Sequence, residues 1–281
     1  MKKYRILHRI GDGATAVIYL VESMENGHRY AMKCSDDHEL LKYEAEILKK
    51  IKGKYFPHFY EYLPDNNSVI MEYVEGRNLQ EILDSGKKFE LGEIVFLVEE
   101  VLNALSNLHC NHPGIVYRDL KPANIMLEKS GRVRLIDFGA AFVLEAEKRN
   151  QSEREIIKAG TYGYGAPEQF WRGVIPDIRC DIYAVGKVLA YLLSGKNPAI
   201  PPYNMEQLCK GVKGIQISFQ RILERSLATN PLARYEDCIS MRRDLRKAYE
   251  ESGRKELFKL HKKTSLNYIK CIWLSEYRRI F

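Results

Sequence analysis

"YRDLKPAN", residues 117–124, places an acid, two bases and a carboxamide within eight positions beside a proline. Such a cluster is costly to order unless it holds something, so Asp119, Lys121 and Asn124 read as a site. A second acid, Asp137, stands in "IDFG" (136–139), after the hairpin-like run "IMLEKSGRVRLI" (125–136). Mg²⁺ prefers hard oxygen ligands, which Asn124 and Asp137 can provide. Asp119 is then left to accept a hydroxyl proton, and Lys121 to neutralise charge on a moving phosphoryl group.

Upstream of this cluster the chain changes character. Up to about residue 73 short runs alternate or are apolar throughout: "YRILHRI", "AVIYLVE", "HRYAMKC" and "SVIMEY". These are strand patterns. The helical run "DDHELLKYEAEILKKI" (36–51) interrupts them, with Ser35 or Asp36 as its cap and Glu39 three residues after Asp36. Leu40, Leu41, Leu48 and Ile51 mark its apolar stripe, on which Glu44 also lies. Glu46 instead sits among Lys42, Lys49 and Lys50 on a solvated face. A carboxylate on a buried stripe needs a partner, and Lys33, inside the apolar strand "AMK", can supply it. "GDGATAVIY" (11–19) offers Gly11 and Gly13 for close approach of backbone amides to a polyphosphate.

Beyond residue 78 the pattern is helical. "EIVFLVEEVLNALSNLH" puts Ile94, Leu97, Val98, Val101, Leu102, Leu105 and Leu108 on one face. "DIYAVGKVLAYLLSG" (181–195) is apolar almost all round and reads as a buried central helix. A small β-rich lobe (about 1–73) followed by a larger helical lobe (about 78–250) is therefore expected, with a ligand site in the cleft between them.

At 281 residues the chain can bury a substantial core. No run approaches the ~18–20 apolar residues of a membrane span, and "MKKYRILHRI" lacks the apolar stretch of a secretory signal. Its six cysteines (Cys34, Cys110, Cys180, Cys209, Cys238, Cys271) are scattered with no C-x-x-C pair, which points to reduced thiols and a cytoplasmic setting. The net charge is +7, but residues 251–281 hold eight Lys/Arg against three Glu. The basicity belongs to that tail, and the body gives no electrostatic case for nucleic-acid binding.

Together these motifs resemble the eukaryotic-like (Hanks-type) serine/threonine protein kinases, bacterial members most of all. The order is the family's: Gly-rich loop, strand lysine, helix-C glutamate, catalytic loop, DFG, and "APE" at 166–168. The resemblance covers about residues 4–248 and implies an α+β, bilobal protein-kinase fold with a kinase domain over 1–250. It implies ATP and Mg²⁺ as cofactors and proteins as substrates. By the resemblance Gly11 and Gly13 cover the ATP phosphates, and Lys33, held by Glu44, contacts the α- and β-phosphates. Asp119 orients and deprotonates the substrate hydroxyl, Asn124 and Asp137 ligate Mg²⁺, and Ile18, Ala31 and Met126 sandwich the adenine. Met71 is the gatekeeper of a hinge in which Glu72 and Val74 offer backbone bonds, and Asn78 lies near the ribose. Thr161 bridges Asp119 and Lys121, Glu168 pairs with Arg234, and Asp181 holds the catalytic-loop backbone. The D-x-K-x-x-N spacing resembles serine/threonine kinases, whereas tyrosine kinases usually carry Ala-Ala-Arg or Arg-Ala-Ala between acid and asparagine.

The chain departs from the family in three places. Tyr117 replaces the usual histidine, a packing position that transfers no proton. Ala16 replaces the third glycine, which implies weaker nucleotide closure at most. Only ten residues separate Lys33 from Glu44, a link shorter than usual, which leaves Glu46 as the rival. Two other classes compete with a protein kinase. Small-molecule phosphotransferases usually lack the lysine two past the acid and the APE segment. A pseudokinase scaffold should have lost Lys33, Asp119 or Asp137.

Two regulatory expectations complete the reading. The tail "LFKLHKKTSLNYIKCIWLSEYRRIF" interleaves aromatic and aliphatic residues with Lys and Arg. It reads either as a final packed helix or, over 255–281, as a peripheral docking element for an anionic membrane or an acidic partner. The segment from Asp137 to Glu168 holds only two aliphatic hydroxyls, Ser152 and Thr161. Thr161 is committed to the catalytic site. Ser152 lies sixteen residues before Glu168, where the family's usual phosphate position, about eleven before it, is Ile157. Glu153 and Glu155 could give Arg118 a fixed negative charge, or pair with Lys148, Arg149 and Arg154, so activity is not expected to require phosphorylation of this loop.

Overall fold

The short apolar runs at the start of the chain pair into one antiparallel sheet. Its strands are β1 (Tyr4–Asp12), β2 (Ala16–Ser23), β3 (Arg29–Ser35), β4 (Phe59–Leu63) and β5 (Ser68–Glu72), in the order β1-β2-β3-β5-β4. β4, "FYEYL", was not among the runs read as strands. It has no β-branched residue and is closed by Pro64, which begins a 3₁₀ turn. Helix α1 (His38–Lys50) interrupts the strands and buries Leu41, Glu44, Ala45, Ile47 and Leu48 against β3, β4 and β5. Its cap is neither Ser35 nor Asp36. Asp37 is the residue with extended backbone, and its carboxylate accepts from the Leu40 amide at 3.0 Å, while Ser35 Oγ accepts from the Asp37 amide.

This is a computed structural model, and it describes residues 3–13, 16–144, 160–171, 173–175, 177–200 and 216–253. The chain divides into two units: Met1–Glu75 with Arg134–Gly139, and Gly76–Val133 with Ala140–Phe281. The short return segment 134–139 thus belongs with the sheet of the first unit. There Leu135 donates its amide to the Tyr55 carbonyl, and Phe138 packs edge-on against Phe56.

Among the described residues the second unit is mainly helical: α2 (Leu79–Asp84), α3 (Leu91–His109), α4 (Arg179–Ser194), α5 (Ile217–Ser226) and α6 (Cys238–Glu251). The seven residues expected on the apolar face of α3 are all buried. α4 is enclosed on every side from Cys180 to Leu192, as its all-round apolar sequence requires. Two small sheets complete the described strands. β6 (Gly76–Asn78), β8 (Ile125–Glu128) and β9 (Val133–Leu135) form one in the order β6-β8-β9, and β7 (Gly114–Val116) pairs with β10 (Phe142–Leu144) in the other. A β-rich unit followed by a helical one makes the fold α+β.

Candidate active site

Each unit carries one group of interacting polar side chains. In the first unit Lys33, on β3, is almost completely buried. Its ammonium lies 2.9 and 2.7 Å from the two Glu44 oxygens and 2.9 Å from Asp137 Oδ1. Burial alone would lower the Lys33 pKa, but the Glu44 and Asp137 carboxylates outweigh it and raise it above the ordinary lysine value. Lys33 therefore stays charged. Glu44 Oε1 also accepts from the Phe138 amide, which ties α1 to the segment carrying Asp137. Glu46 is exposed and pairs with Lys49, so of the two glutamates it is Glu44 that meets Lys33.

Other expected residues of this unit lie on the same sheet or just beyond the ends of its strands. Ile18 is opposite Lys33 in the β2–β3 register, and Ala31 is opposite Met71 in the β3–β5 register. Ala31, Met71 and Val74 are buried. Gly11, the penultimate residue of β1, is opposite Ile18, and the Gly13 amide donates to the Ala16 carbonyl at 2.8 Å. Glu72 has its amide committed to the His58 carbonyl, which leaves its own carbonyl, and not the N–H, for a ligand.

Glu72 carries a further interaction that sequence reasoning did not find. Its carboxylate receives both guanidinium nitrogens of Arg134, and the His58 amide donates to Oε2. Arg134 also donates to the Phe56 carbonyl. In "RVRLI" an arginine at this position reads as the solvent side of a hairpin, yet Arg134 is buried because Glu72 receives it. Partial burial would raise the Glu72 carboxyl, but Arg134 and the His58 N–H hold it below the usual carboxylate range. A carboxylate whose folded pKa is depressed stabilises fully above its unfolded pKa, about 4.3, and loses that contribution as pH falls through the lower folded value. Glu72→Gln should therefore be less stable than wild type at pH 7, with the gap in urea midpoint closing towards pH 3. A gap independent of pH would show that the ion pair is not its cause.

In the second unit Asp119 sits between Lys121, Thr161 and Asn124. Its Oδ1 accepts the Thr161 hydroxyl at 2.7 Å, and its Oδ2 accepts Lys121 Nζ at 2.8 Å and Asn124 Nδ2 at 3.1 Å. Lys121 also donates to Thr161 Oγ1, closing a three-membered ring of contacts. Asp119 and Thr161 are 42 residues apart and meet only through the fold. Asn124 points its amide nitrogen at the Asp119 carbonyl as well, at 2.9 Å. Both of those partners are acceptors, so the nitrogen must face them and the Asn124 oxygen is the atom left for a cation.

Asn124 and Asp137, one in each unit, each offer a hard oxygen of the kind a divalent cation such as Mg²⁺ prefers. Asp137 offers a carboxylate 38% exposed, and Gly139 has no Cβ where one would stand 3.4 Å from Asp137 Oδ1 and 3.5 Å from Glu44 Oε2. Among the described residues no group of three or more His, Cys, Asp or Glu could form a protein-only cage. Asn78 pairs with Met126 across β6–β8, and its side chain caps α2, accepting from the Glu81 amide and donating to the Glu81 carboxylate.

The catalytic-loop backbone is fixed by Asp181, on the first turn of α4. Its Oδ2 accepts the Tyr117 amide and its Oδ1 the Arg118 amide, both at 2.8 Å. His109 Nε2 also contacts Oδ2 at 2.8 Å. Facing a carboxylate, Nε2 donates to it, and Nδ1 lies 3.6 Å from Cys238 Sγ. Burial pushes the Cys238 thiol well up, so it remains an S–H donor. His109 and Cys238 were not singled out in the sequence, since a histidine in the last turn of a helix reads as a partner of the helix dipole. Tyr117 is fully buried. Glu168 and Arg234 form a buried two-pronged ion pair at 2.6 and 2.8 Å. Ser152 with its neighbouring charges, and the tail 255–281, lie outside the described residues.

Residues 4–255 match the family described as protein kinase domain. The chain is 28% identical over 269 residues to the serine/threonine-protein kinase PrkC of Bacillus subtilis, covering 88% of this chain and 41% of that protein. It is 32% identical over 188 residues to the serine/threonine-protein kinase PknB of Mycobacterium leprae, covering 63% of this chain and 29% of that protein. A plant relative, CBL-interacting serine/threonine-protein kinase 18 of Arabidopsis thaliana, is 28% identical, with 82% of this chain and 47% of that protein covered. The chain thus spans less than half the length of these relatives. Among the described residues no helix is long and apolar enough to cross a membrane. With its sheet, helices and clustered site residues inside a match of this extent, the chain belongs to the protein kinase domain family.

Proposed function

We propose that this chain transfers the γ-phosphoryl group of ATP to serine and threonine hydroxyls of proteins, with Mg²⁺ as the divalent cation. The observation that carries this reading is the ring of Asp119, Lys121 and Thr161. It holds a carboxylate by both oxygens where a hydroxyl proton can be received, with an ammonium beside it for the charge of the transferred group. Lys121 two residues past the acid and the 166–168 segment favour a protein hydroxyl over a small-molecule acceptor. Retention of Lys33, Asp119 and Asp137 favours an enzyme over a scaffold.

Each residue then has a task. Lys33, kept charged and oriented by Glu44, binds the α- and β-phosphates, and Gly11 and Gly13 bring backbone amides to the phosphate chain. Ile18, Ala31 and Met126 contact the adenine faces beside Met71, with the Glu72 carbonyl and the Val74 backbone at its edge. Asn78 contacts the ribose with whatever donor capacity its capping role leaves. Asn124 and Asp137 would hold Mg²⁺, which when bound neutralises phosphate charge. The basic 255–281 tail would serve as a contact for an anionic membrane or an acidic partner.

The test incubates pure protein with labelled ATP, Mg²⁺ and a generic basic protein, then maps the phosphorylated residues. Label on Ser and Thr is expected, with Lys33→Met lowering transfer by roughly 10²–10³-fold, since charge stabilisation of the transferred group is lost. Label confined to a small-molecule acceptor, or nucleotide binding without turnover, would replace this reading with one of its rivals.

A further inference from the structure

Arg118, the residue before Asp119, has φ +69°. A non-glycine residue stays in this left-handed region only where its surroundings over-determine it. Such a residue relaxes by rotating one of its two flanking peptides, and here both are pinned. The peptide on its N-terminal side is held by Asp181, which accepts the Arg118 amide. The peptide on its C-terminal side, Arg118–Asp119, is held by Gln169. The Gln169 Nε2 donates to the Arg118 carbonyl at 2.7 Å.

Gln169 is itself placed without freedom. It belongs to the 3₁₀ turn Pro167–Phe170, is buried, and accepts the Ala166 amide on Oε1 at 2.9 Å. Its two polar ends face an N–H and a C=O respectively, so the amide cannot reverse. Gly160, at φ +128°, closes over this contact. A Cβ at that position would stand 3.0 Å from Gln169 Nε2 and 3.3 Å from the Arg118 oxygen. The stretch 160–169 therefore supports Asp119 twice, through Thr161 on the carboxylate and through Gln169 on the backbone.

The orientation of the Arg118–Asp119 peptide sets φ of Asp119, and with it the direction of the Asp119 side chain. We propose that Gln169 is a positioning residue for phosphoryl transfer, its side-chain amide fixing that peptide so that the Asp119 carboxylate is aimed at the acceptor hydroxyl. This rests on the reading of Asp119 as the base. It assigns the first residue after "APE" a task in catalysis rather than in packing alone.

Gln169→Glu and Gln169→Leu separate positioning from packing. Glu keeps the shape and the acceptor for Ala166 but sets a carboxylate oxygen against the Arg118 carbonyl. Leu removes donor and acceptor together. Both should lower kcat about 10–100-fold, the scale of a misplaced catalytic group, with KM for ATP changed less than about twofold. The Glu variant has a further signature. Lowering the pH from about 8 to about 6 protonates a carboxyl buried against a carbonyl and restores an O–H donor. Its kcat relative to wild type should therefore rise towards low pH, while that of the Leu variant stays low and flat. Should Gln169→Leu fail to fold, the pH course of Gln169→Glu decides alone. Wild-type kcat in Gln169→Glu, a ratio that does not move with pH, or a change confined to KM would overturn the proposal. If wild type transfers no phosphate to protein, the functional reading fails instead.

Discussion

Asp119→Asn should leave the fold and nucleotide binding in place while phosphoryl transfer falls by about 10²–10⁴-fold, the usual contribution of a positioned general base. At 1.36 kcal/mol per factor of ten this raises the barrier by roughly 3–5 kcal/mol. The substitution is tolerable structurally because Thr161 can adapt. Oδ1 of Asp119 now accepts the Thr161 hydroxyl, and a hydroxyl can turn to accept from an amide nitrogen placed there instead. The remaining amide oxygen keeps Lys121 and Asn124 as donors. Lys33, Glu44 and Asp137 belong to the other unit and are not altered by the change. Single-turnover transfer and nucleotide-analogue binding, measured side by side, check both halves. Near-normal turnover would remove Asp119 from the role of base.

The largest loss of stability should follow from breaking the Glu168–Arg234 pair. The Arg234 side chain is fully enclosed and that of Glu168 is 7% exposed. Arg234 also donates to the carbonyls of Ala228, Thr229 and Arg179, and its guanidinium lies 4.8 Å from the centre of the Tyr183 ring. Arg234→Leu therefore leaves a buried carboxylate without its counter-charge and three carbonyls without a donor. A cost of about 3–5 kcal/mol is expected in urea unfolding. Glu168→Met combined with Arg234→Leu removes the orphaned charge and should recover part of that loss. A cost for Arg234→Leu alone under about 1 kcal/mol would mean that water or a rearranged side chain takes the guanidinium's place.

The catalytic-loop cluster could be read in the sequence because three unlike polar residues stand within six positions of one another. The partner of Lys33 was harder. Spacing admits Glu44 or Glu46, and only their faces on α1 distinguish them: Glu44 is buried with Leu41 and Leu48, and Glu46 is on the lysine side. The cap of α1 was misplaced by one residue because Ser35, Asp36 and Asp37 are all competent caps, and the choice depends on which backbone turns extended. Gln169, His109 and Arg134 were not legible as functional or structural anchors. Each is a polar residue whose partner lies 51, 72 or 62 positions away in sequence. No local pattern of apolar residues records such a pairing. Thr161 is as distant from Asp119, and family resemblance alone placed it.

Asp181 belongs to the first turn of the one helix among the described residues that is enclosed on every side. The segment 117–124 carries no regular structure beyond the 3₁₀ turn Pro122–Asn124. Its first two amides are fastened to α4 through Asp181, which couples its local opening to that of the interior. A cavity made deep in α4 would then be felt first as a blurred aim at the acceptor hydroxyl and only later as loss of the fold. For this chain, the tolerance of the active site to mutation would then depend in part on the packing of α4.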